Sequence, residues 1–265
     1  MKRIENKFFN LSKEGKKGLI TYITAGDPGM RVTEDLVYAF DDLGVDGVEL
    51  GIPFSDPLAD GVVNQLAAQR SLKAGTTVHK VLDLVSRIRK KSEIPIVFFT
   101  YLNPILKYGL NGFARDASNA GVDGILVLDL PPEEASEYCQ MMSNRAIDTV
   151  FLVAPTSSDE RIKKISSFAK GFIYCVSRTG VTGMQSEISQ EVPQLVGRIR
   201  KISSLPVAVG FGISGPEQVK ALAQHADAVV VGSAIVKKIE ENVSSPNLVK
   251  EVKKFVKTLV GAIHE

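Results

Sequence analysis

The sequence predicts a closed (β/α)8 barrel of the TIM class, and three observations carry the prediction. Eight short, almost continuously apolar runs recur along the chain. Amphipathic helical patterns separate them, with no Ser/Gly-rich linker between. The distinctive loops all follow strands, while the segments before strands are short and plain. Barrels of this kind collect function at the carboxyl ends of their strands. An open doubly wound sheet competes on length alone, and the loops favour the barrel. One domain over residues 1–265 is expected, with an extra N-terminal helix and a short extra helix after strand 8.

Taken in order, the runs are "LITYIT" (19–24), "GVEL" (47–50), "IPIVFF" (94–99) and "GILVLD" (124–129). "TVFLV" (149–153), "GFIYCV" (171–176), "PVAVG" (206–210) and "AVVVG" (228–232) complete the set. Unbroken apolarity over so few residues is the pattern of parallel strands covered on both faces. Val32, Leu36, Phe40 and Leu43 repeat at the spacing of one helical face, as do Leu248, Val252, Phe255, Leu259 and Ile263.

Composition narrows the function classes. With 44% hydrophobic and 23% charged residues, the 265-residue chain can bury a sizeable core and is not disordered. A net charge of +2 at pH 7 is too balanced for a nucleic-acid or membrane surface. Cys139 and Cys175 lie far apart and form no metal or redox motif. Cys175, inside "FIYCV", reads as a buried inert thiol. The start "MKRIENKFFN" has no apolar core of a signal peptide, and no run approaches a membrane span. A reducing, cytoplasmic location is expected.

The strand-end segments are "TAGDPG", "ELGIPFSDPLADG", "TYLNPI", "DLPPEE", "APTSSDE", "SRTGVTG", "GFGISGPE" and "GSAIVKK". None contains a His, which makes a His-bound metal improbable. His79, His225 and His264 fall in helical or pre-strand segments and read as ordinary surface or half-buried residues. No Lys ends a strand, so a Schiff-base route lacks its amine, and neither a P-loop nor a nucleophile elbow is present.

"GFGISG" (210–215) matches G-x-G-x-x-G, yet the acidic residue of a dinucleotide site is missing: Gly232, not Asp or Glu, ends the next strand. Barrel phosphate sites combine the loops after strands seven and eight with a short helix N-terminus. Gly183, Gly212 and Gly232 lie in three successive loops of one rim, and Ser233 is placed to cap a short helix. Phosphate is therefore expected there.

The acids remain for proton transfer. Glu49 emerges from the second strand, where an apolar pocket raises its pKa toward neutrality; the alternative is an ion pair, with Arg178 the nearest candidate. Asp56 could close an Asx-turn before Pro57, and Asp60 could cap the helix that follows. Spacing leaves these two tied. Asp129 also ends a strand and could tether a neighbouring loop.

These segments, in order and over essentially the whole chain, resemble the tryptophan synthase alpha subunit family, above all in "VELGIPFSDPLADG". The resemblance implies a (β/α)8 lyase that cleaves indole-3-glycerol phosphate to indole and glyceraldehyde 3-phosphate by a retro-aldol route. It implies that Glu49 is the acid/base and Asp60 the second catalytic carboxylate. Tyr174, Thr182 and Asp129 would support them, while Tyr22, Phe99 and Tyr101 line the ring pocket. Gly183, Phe211, Gly212, Gly232 and Ser233 would hold phosphate. No cofactor is implied in this chain. The implied partner is a pyridoxal-phosphate beta subunit in an α2β2 complex, faced by residues 53–60, 103–108 and 131–132. Val62, Asn64 and Leu128 depart from the family, which more often has Pro, an apolar residue and Pro at these positions. Other readings are a phosphate-binding isomerase barrel, a weakly active subunit that activates its partner, and a stand-alone indole-releasing lyase.

Overall fold

The computed structural model describes residues 2–176, 191–210 and 212–264. The chain opens with α1 (Arg3–Lys13), followed by β1 (Gly18–Thr24), α2 (Met30–Asp42), β2 (Gly47–Gly51), α3 (Val62–Lys73) and α4 (Val78–Ile88). Next come β3 (Ile96–Thr100), α5 (Leu102–Tyr108), α6 (Leu110–Ala120), β4 (Gly124–Val127), α7 (Ser136–Ser143), β5 (Asp148–Val153) and α8 (Asp159–Phe168). β6 (Ile173–Val176), α9 (Glu191–Ile202), β7 (Val207–Gly210), α10 (Pro216–Ala223), β8 (Ala228–Val231), α11 (Ser233–Glu240) and α12 (Leu248–His264) complete it.

The eight strands form a closed parallel barrel in sequence order, sealed by the pairing of β1 with β8. Each apolar run is a strand, with ends displaced by two residues at most. β3 starts after Pro95, which has no N–H to give to a ladder. The extra helices stand at the expected places, α1 before β1 and α11 directly after β8.

Alternation along each strand sorts side chains into two cores. Leu19 and Ile23 of β1, and Val48 and Leu50 of β2, pack with Leu36 and Phe40 between sheet and helices. Ile20, Val97, Leu126, Val150 and Val230 fill the barrel interior. α1 closes the amino-terminal end: Ile4 and Phe8 join that interior, with the Phe8 and Phe172 rings 5.7 Å apart.

The short segments before strands are less plain than they read. Asp46, Asp123 and Asp227 each stand just before a strand and accept a hydrogen bond from the backbone of the neighbouring one, at Leu19, Ile96 and Val207 (2.9, 2.8 and 2.9 Å). Each also meets cations: Lys7 at Asp46, Arg3 and Arg89 at Asp123, Arg200 at Asp227. Asp148 pairs with Lys2 at 2.7 Å. Asp46 and Asp123 fasten α1 to the barrel and satisfy strand-end donors at once, while Asp227 does the same for α9.

Candidate active site

The pleat decides Glu49. Val48 and Leu50 face the helices, so the side chain between them points into the barrel, beside its register partner Tyr22. It meets a cavity of about 230 Å³ that opens among the carboxyl ends of the strands. Glu49 is 1% exposed, and its Oε1 is walled off with no hydrogen-bond partner among the described residues. Burial without a compensating donor disfavours the charged form and pushes its pKa up to about 8. The ion pair considered with Arg178 falls on a residue outside the described ones.

Asp60 and Asp56 are separated by geometry. The loop after β2 makes two turns, Leu58 N–H to the Asp56 carbonyl and Asp60 N–H to the Pro57 carbonyl. The capping position of α3 is occupied by Gly61, without a side-chain cap. The Asp60 carboxylate instead accepts from the Tyr101 hydroxyl at 3.0 Å and lines the cavity. Its pKa is raised by burial, which hydrogen bonding from Tyr101 and Asn64 partly offsets. Asp56 lies exposed outside the cavity and accepts from its neighbour Ser55.

Aromatic rings form the walls. Tyr22 and Phe99 meet edge to face with centroids 5.0 Å apart. Two strand glycines make room for the phenols. A Cβ at Gly51 would sit 2.4 Å from the Tyr22 hydroxyl, and one at Gly210 would sit 2.1 Å from that of Tyr174. Tyr174 lines the cavity, and burial followed by the Glu49 charge holds its hydroxyl neutral. Tyr101 stands one step back: its hydroxyl accepts from Ala59 N–H and donates to Asp60, while its ring packs on Phe54.

On the opposite rim, Gly212, Gly232 and Ser233 line the cavity. Gly212 has φ +73°, in the region that favours glycine. Ser233 does not cap α11: the helix begins at Ser233 itself, and Gly232 occupies the capping position. The first turn's free N–H groups thus need no side chain to present them to an anion. Asp129 is away from this cavity. It accepts from the Leu102 N–H at 2.7 Å, linking the ends of β3 and β4, and lines a separate cleft with Pro131 and Pro132. Thr182, Gly183 and Phe211 lie outside the described residues.

One group went unremarked in the sequence. Arg70 of α3 makes a two-pronged pair with buried Asp27 of the loop after β1 (2.8 and 2.9 Å) and reaches Glu240 of α11 at 2.8 Å. It ties the helix behind Asp60 to the helix that starts at Ser233. Its signal, an Arg deep within a helical pattern, is indistinguishable from a solvated charge until the fold brings Asp27 to it.

The whole chain supports one kinship. The profile of the family described as Tryptophan synthase alpha chain matches residues 8–264. The chain belongs to the tryptophan synthase alpha chain family. It is 49% identical over 259 residues to the alpha chain of Caldanaerobacter subterraneus subsp. tengcongensis, covering 98% of each. It is also 49% identical over 263 residues to that of Geobacter sulfurreducens, covering 99% of each. Among solved structures, the alpha chain of Legionella pneumophila superposes with a TM-score of 0.91 at 36% identity, over 99% of this chain and 97% of that one. A chain of the tryptophan synthase complex from Pyrococcus furiosus gives 0.85 at 41% identity, over 93% and 98%.

Proposed function

We propose that Glu49 and Asp60 divide the acid–base work of a retro-aldol cleavage in this cavity. As a tryptophan synthase alpha chain, the protein is a carbon–carbon lyase that cleaves indole-3-glycerol phosphate to indole and glyceraldehyde 3-phosphate. Neutral Glu49 donates its proton to indole C3, while Asp60 accepts the hydrogen bond of the ring N–H and stabilises the positive charge that develops there. The Glu49 carboxylate so formed takes the proton of the glycerol hydroxyl. The C–C bond then breaks, its electron pair returns to the ring, and the hydroxyl carbon leaves as the aldehyde. Protons balance, and Glu49 ends the cycle neutral. The observation that carries this reading is a buried, donor-poor carboxyl whose pKa of about 8 lets it give and take a proton near neutral pH.

Tyr22 and Phe99 would hold the flat ring, with Tyr174 beside Glu49. Gly212, Gly232 and Ser233 would take the phosphate, with Gly183, Phe211 and Thr182 completing that side. Asp129 would support the rim by tethering its loops. A pyridoxal-phosphate beta subunit in an α2β2 assembly would receive the indole, in the cytoplasm. Residues of the 53–60 and 103–108 segments line one cleft together with residues 76–79, and Leu58 and Leu106 are 92% and 56% exposed; such apolar surface suits a protein partner. The test is indole release from indole-3-glycerol phosphate, with and without a beta subunit. Cleavage in either condition is expected, faster with the partner; no cleavage in both overturns the reading.

A further inference from the structure

Two helices start at the cavity and pack against each other. α3 begins just after Asp60 and α11 begins at Ser233, so they frame the proposed ring and phosphate ends. Near the cavity they meet through Ala67 and Val236, which pack together with Tyr22. Apolar contact of this kind is non-directional and leaves one helix free to slide along the other. One turn further on, Arg70 of α3 reaches Glu240, the last residue of α11, at 2.8 Å. The same guanidinium holds Asp27, 1% exposed, at 2.8 and 2.9 Å. Its planar fork fixes direction as well as distance. Glu240 stands at a helix C-terminus, where the macrodipole favours a cation, so α11 by itself gains nothing from an acid there. At the other end of α3, Gln65 donates to the Asp60 carbonyl at 2.8 Å.

We propose that Arg70 is a positioning residue that sets the span between Asp60 and the start of α11, the distance an intact substrate must bridge. The proposal rests on the reading of Asp60 as the carboxylate at the ring and of the Ser233 end of α11 as the phosphate site. Contacts run from Asp60 through Gln65 into α3, through Arg70 to Glu240, and along α11 to Ser233. Asp27 in the loop after β1 anchors the fork to the barrel wall. Arg70 itself lies outside the cavity lining and acts only through these partners. Indole-3-glycerol phosphate is gripped at both ends, with the bond that breaks between them. A slip of about 1 Å between the helices would misplace that bond against Glu49, an error that can cost about 10²-fold in rate. A fragment held at one end only is indifferent to the span.

The experiment compares the full chain with its Glu240→Gln and Arg70→Lys variants. Glu240→Gln releases α11 alone and, at a side chain 36% exposed, should change Tm little. Arg70→Lys keeps a cation for buried Asp27 but replaces the fork with a point charge that fixes no direction. Indole release from indole-3-glycerol phosphate gives kcat/KM, and inhibition by glycerol 3-phosphate and by indole reports each end separately. The expected result is a fall in kcat/KM of about tenfold in both variants, with both inhibition constants within about twofold of the parent's. Unchanged kcat/KM in Glu240→Gln overturns the proposal, whether or not Arg70→Lys folds. So does a loss that only follows Tm, or fragment binding that weakens as much as kcat/KM, since either marks a purely structural role. Two controls separate the layers. If glycerol 3-phosphate fails to compete with substrate in the parent, or Asp60→Asn keeps activity, the reading of the two ends is wrong and the proposal falls with it. If both controls behave and Glu240→Gln matches the parent, only Arg70 is misassigned.

Discussion

At the scale of single residues, the cavity is arranged around a carboxyl that stability alone would not retain. Glu49 is folded with its pKa raised from 4.5 to about 8. Between those values the native protein keeps the proton that the unfolded chain releases, so its contribution to stability falls as pH rises from about 4.5 and levels off above 8. Glu49→Gln removes this penalty. Its Tm should match the parent's below pH 4.5 and exceed it increasingly toward pH 8, a margin on the order of 3 kcal/mol at pH 7. The same variant should release no measurable indole, and near-normal turnover would sink the mechanism. In the parent, ionisation of Glu49 should place an alkaline limb near pH 8 in the profile of kcat/KM. Asp60→Asn should lower turnover by about 10²–10⁴-fold with little change in Tm, because Asp60 caps no helix. A large stability drop with activity retained would restore a structural role.

Elements matter here through what they leave empty. β2 and β7 end in Gly51 and Gly210 because a neighbouring phenol occupies the volume of a side chain. Gly210→Ala would place Cβ 2.1 Å from the Tyr174 hydroxyl and 2.9 Å from Val230, so the Tyr174 ring must move or the strand must shift. The expected cost is about 1–3 kcal/mol. Activity should fall further than stability explains, measured as kcat at a temperature where the variant remains folded. Retained kcat would show that Tyr174 can leave its place without consequence. Gly210 opens "GFGISG", so its glycine serves the barrel wall, while Gly212, two residues on, lines the rim.

Over the whole molecule, the two ends of the barrel separate chemistry from stability. The amino-terminal end carries α1 and the aspartates that stand before the strands, Asp46, Asp123 and Asp227. There Arg89, whose side chain is 10% exposed, depends on Asp123, at 6%, for its charge partner at 2.6 Å. Asp123→Ala takes from that buried guanidinium its only carboxylate partner among the described residues, leaving it the Gly121, Ser92 and Ile94 carbonyls, and unpairs the Ile96 N–H; it should cost about 3 kcal/mol in denaturant unfolding with kcat per folded molecule unchanged. Loss of catalysis out of proportion to folding would mean the ends communicate.

Sequence by itself determined the eight strands, the closed barrel they form and Glu49 as its inward acid. Each rests on local pattern: short β-branched runs, a period of two, and a carboxyl where apolar residues belong. Resemblance, not spacing, singled out Asp60 over Asp56, since both stand beside plausible turns. Tertiary structure alone decided what needs residues distant in the chain. Tyr101, 41 positions from Asp60, takes its carboxylate and leaves α3 uncapped. Gly232 rather than Ser233 holds the capping position of α11, and no side chain caps the helix there. Asp46, Asp123 and Asp227 read as loop acids until their neighbouring strands arrive. A side chain's partner is fixed by closure of the barrel, and closure brings together residues that no local window contains.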